Sequence, residues 1–364
     1  MQLFYNGVSC VGIGALLMME YIVRKNDALA APNKRFFRLS IWVVIIVMLS
    51  EIATILFEGA AAQYRIFHVL GNVFGFSLSP FIPLLVGCAI GGSRKTSLIL
   101  CGIPSVINLI LTVFSIWFPF TFWVDAQNTY MRGETFCMFI FSYTIALIYL
   151  LFQTLFITGR YQNNNRFIPI VLFFFVVCGT LGQVLIPSLH ISWLCVSFAV
   201  ALYYMYYCDL LHQIDGLTGL LNRRAYEYNT RRIKGSDKIA VVLFDIDDFK
   251  SVNDLYGHPF GDCCLAAVSS CIKKAFFKTG LCFRIGGDEF CVITKKTDKA
   301  TVEKAYAKFL EEINLMRKAE SRLPMVSIGY AFSDAESKGI ADAILKADRN
   351  MYQFKWRRKA RSQM

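Results

Sequence analysis

The chain has 364 residues, a formal net charge of +12 and a hydrophobic fraction of 55%. Its mean hydropathy of +0.47 excludes an entirely soluble protein, because ordinary soluble domains contain fewer apolar residues. The excess lies before residue 208, where the sequence has only 11 Lys and Arg and 6 Asp and Glu, against 27 and 20 afterwards. We therefore predict a membrane-embedded first half and a soluble second half of ordinary domain size.

The first half contains seven apolar runs, each long enough for a helix to cross the hydrocarbon core of a bilayer. They lie near 3–23, 36–57, 66–90, 97–119, 136–158, 167–187 and 189–208. We predict an all-α transmembrane bundle of seven helices over residues 1–208, which acts as anchor and sensor. A short linker over 209–214 and a separate domain over 215–364 follow, and this linker leaves no room for a further sensor domain.

The basic residues between the apolar runs predict the orientation of the bundle. With the N-terminus outside, the loops on the inner side hold nine basic residues, namely Arg24, Lys25, Lys34, Arg35, Arg38, Arg94, Lys95, Arg160 and Arg166. The outer loops hold only Arg65 and Arg132. This bias predicts a multi-pass protein of the cell (inner) membrane whose second half is cytoplasmic. The first run lacks a basic n-region and a cleavage site, so we expect it to be retained as an anchor.

The remaining charge and the twelve cysteines indicate no further function. Basic loop residues orient a membrane protein, so we expect the lipid bilayer, and not nucleic acid, as the partner of the positive charge. The cysteines lack zinc-ligand spacing, and we expect them to be buried and reduced. Glu51, Glu58 and His68 lie in or near the apolar runs, where an ionisable group contacts a sensory ligand, lies at the membrane interface or pairs between helices. The sequence does not identify the stimulus.

The second half alternates strand and helix patterns. In chain order we predict a buried strand over Ile239–Asp247, a helix over 261–277, a hairpin of strands 281–285 and 289–294, a helix over 299–316, a strand over Met325–Phe332 and a helix over 339–358. Two glycines, Gly286 and Gly287, mark the hairpin turn. The pattern indicates an α/β domain with helices packed on a central sheet.

Acidic residues follow the strands of this domain. Strand alternation puts Asp245 and Asp247 on one face, while Asp288 and Glu289 directly follow the two glycines. Carboxylates crowded at one sheet edge repel one another unless a cation lies among them, and hard oxygen ligands favour Mg²⁺ or Mn²⁺. The cations available for phosphate oxygens are Lys250, Arg284, Lys355 and Lys359. This combination predicts a site for phosphoryl or nucleotidyl transfer.

These residues form five ordered blocks in which the second half resembles the GGDEF family of diguanylate cyclases. The blocks are DGLTGLLNRR at 215–224, FDIDDFK at 244–250 with ND at 253–254, GH at 257–258 with GD at 261–262, RIGGDEF at 284–290, and SIG at 327–329 followed by AD, MY and Lys355. The likeness covers 215–360. It implies a central, mainly antiparallel sheet flanked by helices, and an enzyme that condenses two GTP into cyclic di-GMP and two pyrophosphates.

The resemblance also implies roles for individual residues. Asp245 and Asp288 would be ligands of two Mg²⁺ or Mn²⁺ ions per active site, with help from the Ile246 carbonyl, and Glu289 would support catalysis. The residues implied for GTP are Asn253 and Asp262 for the guanine edge, Gly286 and Gly287 for close approach, and Lys250, Lys355 and Lys359 for the phosphates. Two domains would meet as a homodimer, because each nucleotide attacks the other. Asp215 and Arg224 would fix the entry turn.

One block of the family pattern is missing. Many members have an RxxD product-binding site, but the corresponding residues here are Phe277, Lys278, Thr279 and Gly280. We therefore expect no inhibitory product site and no feedback inhibition through these residues.

Three alternatives remain beside the cyclase interpretation. An inactive domain could bind GTP or cyclic di-GMP without turnover, although all three signature acids are present. A relaxed enzyme could make a mixed GMP–AMP dinucleotide, against which Asp262 argues. The spans could also form a transporter or receptor, although they contain few of the charges that a transport pathway requires.

Overall fold

The computed structural model describes residues 2–91, 95–162, 166–186, 190–233, 238–295, 297–333 and 339–362. The chain divides into two compact units, Met1–Leu211 and His212–Met364. The division falls inside the predicted linker over 209–214, but helix α8 continues to His212. Most of the predicted linker is therefore helical, and only Gln213 and Ile214 separate this helix from Asp215.

The first unit is built mainly from long apolar helices. They are α1 (Gln2–Lys25), α2 (Ala31–Phe57), α3 (Arg65–Leu78), α4 (Phe81–Gly91), α5 (Lys95–Phe114), α6 (Phe136–Arg160), α7 (Phe167–Leu185) and α8 (Ser192–His212), with one 3₁₀ turn at Ala62–Tyr64. Within the described residues, seven helical segments are long and apolar enough to cross a membrane: Tyr5–Lys25, Ala31–Phe57, Ala62–Gly91, Ser97–Phe114, Phe136–Arg160, Phe167–Leu185 and Ser192–His212. They correspond in order to the seven predicted runs.

Two details of the first unit differ from the prediction. The third run is two helices, because α3 ends at Leu78 and α4 begins at Phe81, with Pro80 between them. Proline lacks the backbone N–H that a continuous helix requires. The prediction of an all-α bundle is wrong at one loop, where β1 (Phe122–Val124) and β2 (Tyr130–Arg132) pair as an antiparallel hairpin. Strands this short lie below the length at which sequence alternation can be recognised.

Glu51, Glu58 and His68 each have a partner within the first unit. His68 is fully buried, with its Nδ1 3.0 Å from the Asn128 side-chain oxygen and its Nε2 3.2 Å from a Glu58 carboxylate oxygen. Glu51 is also buried and accepts a hydrogen bond from Gln183 at 3.0 Å. This arrangement corresponds to the pairing alternative that we considered for these three residues.

The second unit contains a four-stranded sheet with helices on both faces. Its elements are α9 (Arg223–Arg231), β3 (Ile239–Ile246), α10 (Phe249–Tyr256), α11 (His258–Phe276), β4 (Gly280–Arg284), β5 (Glu289–Lys295), α12 (Lys299–Ala319), β6 (Val326–Phe332) and α13 (Ile340–Ser362). The strand order is β4-β5-β3-β6, and each neighbouring pair is antiparallel. The α/β prediction is confirmed, although α9 and α10 were not predicted.

Alternation along the central strand β3 distributes the core between two layers. Its even-numbered residues from 240 to 246 belong to the hydrophobic cluster that includes Val268 of α11 and Phe309 of α12. Its odd-numbered residues from 239 to 243 belong to the cluster that includes Ala347 of α13. Because successive strand side chains point to opposite faces, Asp245 lies on the face covered by α13. The predicted inward orientation of Phe244 and Ile246 is confirmed, since both are 1% exposed.

Candidate active site at the end of the central strand

Asp245 occupies the penultimate position of β3, where its neighbours across the sheet are Glu289 of β5 and Ser327 of β6. The Lys355 ammonium of α13 donates a hydrogen bond to the Asp245 carboxylate. Burial alone would lower the pKa of Lys355, but the hydrogen bond and the charges of Asp245 and Asp247 raise it above its usual value. Lys355 therefore remains charged at neutral pH and neutralises part of the acidic strand end.

Asp288 lies in the turn between β4 and β5, and its backbone carbonyl accepts a hydrogen bond from the Ile246 N–H at 3.3 Å. This contact brings the turn to the end of β3. Burial raises the pKa of Asp288, and the negative charge of Asp245 raises it further. The two carboxylates therefore oppose each other electrostatically, and a cation between them would relieve the repulsion.

The oxygen atoms at this strand end fit a magnesium site. Within the described ranges, the structure brings together no group of three or more His, Cys, Asp and Glu side chains suited to a metal ion. Two carboxylates, Asp245 and Asp288, and the Ile246 carbonyl are instead available. Mg²⁺ is commonly held by one or two carboxylates and completes its octahedral shell with water and substrate phosphates. The donor set thus matches a cation that binds together with a phosphorylated substrate.

Arg284 stabilises the glycine turn through hydrogen bonds. This role differs from the phosphate contact that we considered for Arg284 from the sequence. Its Nη2 donates to the Gly287 carbonyl at 2.7 Å, and its Nη1 lies 3.2 and 3.3 Å from the two Asp215 carboxylate oxygens. Burial alone would raise the pKa of Asp215, but hydrogen bonds from Thr218 and the Arg284 charge lower it. The guanidinium thus connects the β4–β5 turn at Gly287 to the turn at Asp215, where the domain begins.

The predicted pairing of Asp215 with Arg224 is wrong. Arg224 is exposed near the start of α9, whereas the end of β4 carries Arg284 to the Asp215 carboxylate. The two arginines cannot be told apart by sequence, because the entry segment reaches β4 only through tertiary pairing. That pairing consists of hydrogen bonds from Leu221 N–H to the Cys282 carbonyl and from Arg284 N–H to the Leu221 carbonyl.

The two glycines of the turn differ in their surroundings. A Cβ on Gly286 would lie 2.6 Å from a Glu289 carboxylate oxygen, whereas a Cβ on Gly287 would meet no atom within 4 Å. The space beside Gly287 is therefore open to a ligand, and Gly286 allows the exposed Glu289 side chain to fold over the turn. The open space beside Gly287 is compatible with the predicted close approach of a nucleotide, whereas Glu289 occupies the space beside Gly286; the binding role of both glycines stays a prediction.

Asn253 and Asp262 lie on consecutive helices, α10 and α11. A Cβ on Gly261 would lie only 1.9 Å from the Asn253 side-chain oxygen, so the glycine lets Asn253 pack directly on the first turns of α11. Asp262 follows Gly261 and is exposed. The structure therefore brings the two residues predicted for the guanine edge to one helix junction, while Lys250 is exposed near the start of α10.

Asp247 has a structural role that we did not recognise from the sequence. Its carboxylate accepts a hydrogen bond from the Ser327 hydroxyl at 2.7 Å, and its N–H donates to the Met325 carbonyl at 2.8 Å. Lys355 and Arg358 lie 3.7 and 3.6 Å from the same carboxylate. Asp247 therefore joins β3, β6 and α13. Its position on the same strand face as Asp245 was the only sequence signal for this role.

The last two predicted features lie at the margins of the site. Lys359 belongs to α13, but its side chain is outside the described part of the structure.

The residues that replace the RxxD site lie between α11 and β4. Phe277 follows the last residue of α11 and Gly280 begins β4. A Cβ on Gly280 would lie 2.7 Å from the Ile293 carbonyl oxygen. An aspartate at this position, which the RxxD pattern requires, would therefore need a shift of the β4–β5 pair.

Comparison with known proteins identifies the second unit. The family described as diguanylate cyclase, GGDEF domain, matches residues 212–361. Cyclic di-GMP phosphodiesterase PdeR of Escherichia coli K12 is 34% identical over 155 residues, which cover 40% of this chain and 23% of PdeR. Diguanylate cyclase DgcM of the same strain is 32% identical over 148 residues, covering 39% of this chain and 35% of DgcM.

The similarity covers only part of each of these two relatives. The chain spans about a quarter of the length of PdeR and about a third of that of DgcM. Among solved structures, the GGDEF domain of DgcB from Caulobacter crescentus in complex with c-di-GMP is 28% identical, with a TM-score of 0.33 over 39% of this chain and 90% of that chain. Since one relative is named a phosphodiesterase and another a cyclase, the shared domain does not by itself assign an activity.

Proposed function

Because residues 212–361 form a GGDEF domain of the diguanylate cyclase family, we propose that this chain is a diguanylate cyclase that converts two GTP into cyclic di-GMP and two pyrophosphates. The observation that carries the proposal is the pair of opposed carboxylates, Asp245 and Asp288, beside the Lys355 ammonium at the end of β3. Acids at a strand end are costly unless a cation and a substrate use them.

The acidic pair and the Ile246 carbonyl would hold Mg²⁺ or Mn²⁺, two ions per active site. Bound there, the metal supplies positive charge to the phosphate oxygens of GTP. Lys250, Lys355 and Lys359 would hold further phosphate oxygens. Glu289 would orient the groups around the metal, which is consistent with its position over Gly286.

Asn253 and Asp262 would bind the guanine. An amide can accept and donate hydrogen bonds, and a carboxylate accepts from the guanine N–H groups, so the pair complements that edge and not the edge of adenine. The close packing of Asn253 on Gly261 supports this assignment, because it restricts the Asn253 side chain. The open space at Gly287 would admit the nucleotide to the turn backbone.

The reaction needs two copies of the domain. Each domain would bind one GTP, and each 3′-hydroxyl would attack the α-phosphate of the other nucleotide. A 3′-oxygen–phosphorus bond forms and the hydroxyl proton passes to water. The bond between the α-phosphorus and the oxygen that bridges the α- and β-phosphates breaks, and pyrophosphate leaves with that electron pair. A homodimer is therefore part of the proposed mechanism. The replacement of the RxxD site by residues 277–280 leads us to propose that the product does not inhibit through this position.

The first unit would anchor the enzyme in the cell membrane and regulate it through an unidentified ligand. Its seven apolar helical segments support membrane insertion. The excess of basic residues in alternate loops supports an outer N-terminus and a cytoplasmic catalytic domain.

The activity is tested with the full-length chain in lipid nanodiscs, supplied with GTP and Mg²⁺, and the products are identified by mass. We expect cyclic di-GMP from the native chain and a loss of about a hundredfold or more for Asp288→Asn, which keeps the shape but removes the charge. Glu311→Gln changes an exposed acid on α12 and serves as the control with unchanged turnover. Adding cyclic di-GMP to the same assay tests for product inhibition, and we expect turnover to stay unchanged.

Two results would contradict the proposal. Full activity of Asp288→Asn would exclude this carboxylate as a metal ligand. Binding of GTP by the native chain without any product, in nanodiscs that hold two copies, would favour the binding-module alternative.

A further inference from the structure

The solvent-facing side of α13 carries exposed residues that the proposed reaction does not use. Leu345, Tyr352 and Trp356 have exposed fractions of 58%, 68% and 67%. They are separated by seven and four residues, with the exposed Arg349 between them, so all four lie along one face of the helix. We call Leu345, Arg349, Tyr352 and Trp356 the α13 stripe.

The rotation of α13 that exposes the stripe is fixed by contacts on its other side. Ala343 and Ala347 are fully buried in the cluster that covers one face of the sheet. Lys355 is held by its hydrogen bond to Asp245. The helix therefore cannot turn to bury its aromatic residues without breaking these contacts, and large apolar side chains that are held exposed together commonly mark a binding surface.

The stripe lies in a strongly basic part of the chain. From Leu345 to Ser362 the chain has seven basic residues against one acid, the exposed Asp348; the basic residues are Lys346, Arg349, Lys355, Arg357, Arg358, Lys359 and Arg361. Lys355 and Arg358 contact Asp245 and Asp247, whereas Arg349 and Arg357 are exposed. The surface thus combines two exposed aromatic rings with free positive charge.

We propose that the α13 stripe docks on the anionic headgroup surface of the lipid bilayer. Trp and Tyr favour the headgroup layer, because their rings are apolar and their N–H and O–H groups are hydrated there. Basic side chains next to them are attracted to anionic lipids. The chain also keeps the domain near the bilayer, since the last apolar segment ends at His212 and only Gln213 and Ile214 separate it from Asp215.

This inference rests on the proposed membrane anchoring and is independent of cyclase activity. It is tested with the full-length chain in nanodiscs of phosphatidylcholine alone, or of phosphatidylcholine with roughly one phosphatidylglycerol in three. A benzophenone side chain is introduced at Tyr352, and lipid adducts are measured by mass after illumination. The same group at Phe152 of α6, which is 68% exposed, reports membrane insertion. The same group at Leu315 of α12, which is 55% exposed, reports accidental labelling.

We expect lipid adducts from position 352 in the anionic discs and at least about fivefold fewer in phosphatidylcholine alone. Arg349→Gln together with Arg357→Gln should reduce the adducts by about fivefold or more per arginine. The matched control, Lys304→Gln with Lys308→Gln, removes two exposed charges from α12 and should leave the adducts unchanged.

The control positions separate the outcomes. Lipid adducts from position 152 together with background adducts from position 352 would overturn docking while leaving the anchoring intact. An absence of adducts from position 152 would overturn both. Adducts from position 352 with protein and not with lipid would identify a protein partner or a second copy, and would likewise overturn the proposal.

Discussion

Burial raises the pKa of Asp288 at the end of β3, and the negative charge of Asp245 raises it further. An acid whose pKa is raised by folding favours the protonated form in the folded state. Its contribution to stability is therefore greatest at low pH and is lost as the pH rises through the raised pKa. At neutral pH the ionised pair destabilises the fold slightly, as is common where acids serve a function.

This balance predicts that Asp288→Asn, although inactive, will not lose stability. With a chelator at neutral pH, we expect its free energy of unfolding to equal or exceed that of the native chain by less than about 1 kcal/mol, because the site is partly screened by solvent. Adding Mg²⁺ should raise the melting temperature of the native chain and not that of the variant. Thermal unfolding in detergent, with Glu311→Gln as control, measures both effects. A clear destabilisation of Asp288→Asn in chelator would show that the carboxylate supports the fold instead.

At the scale of elements, α13 packs directly on strand β6 and carries Lys355 to the site. The contact depends on Gly329, where an added Cβ would lie 2.2 Å from both the Ala347 carbonyl oxygen and the Met351 backbone nitrogen. Both neighbours are backbone atoms of the helix, so a side chain at this position can be accommodated only if α13 moves away from the sheet.

We therefore predict that Gly329→Ala destabilises the domain by about 1–3 kcal/mol and lowers turnover, because the shifted helix moves Lys355 away from Asp245. The control is Gly216→Ala, since a Cβ on Gly216 would meet no atom within 4 Å. Chemical unfolding and the product assay, run on both variants, check the prediction. Equal stability of the two variants would contradict the tight contact between α13 and β6.

At the scale of the whole molecule, the proposed chemistry needs two catalytic domains while each chain supplies one. A dimeric mechanism predicts that inactive copies lower the activity of the native chains with which they pair. When equal amounts of native chain and Asp288→Asn are reconstituted into the same vesicles, random pairing should leave about half of the activity per native chain. Mixing separately prepared vesicles is the control and should leave it unchanged. Unchanged activity in shared vesicles would mean that each copy works alone.

Local patterns in the sequence were enough to predict the class of each half. Apolar runs reveal helices that can cross a membrane, and alternation reveals β3 with its acids at one end, because both signals arise from side chains close together in the chain. These patterns failed for elements that are too short to show a period. The β1–β2 hairpin is too short to show alternation, and α9 and α10 are too short to show a helical period.

The sequence by itself determined that acids, glycines and basic residues in the pattern of the GGDEF family occur in one domain, because their order and spacing are local. Only the tertiary structure decided which of them meet. Packing carried Arg284 and not Arg224 to Asp215, placed Lys355 and Arg358 around Asp247, and left Tyr352 and Trp356 exposed on α13. Such contacts join residues that are tens of positions apart, so they follow from the strand order and from the rotation of each helix, which no short stretch of sequence contains.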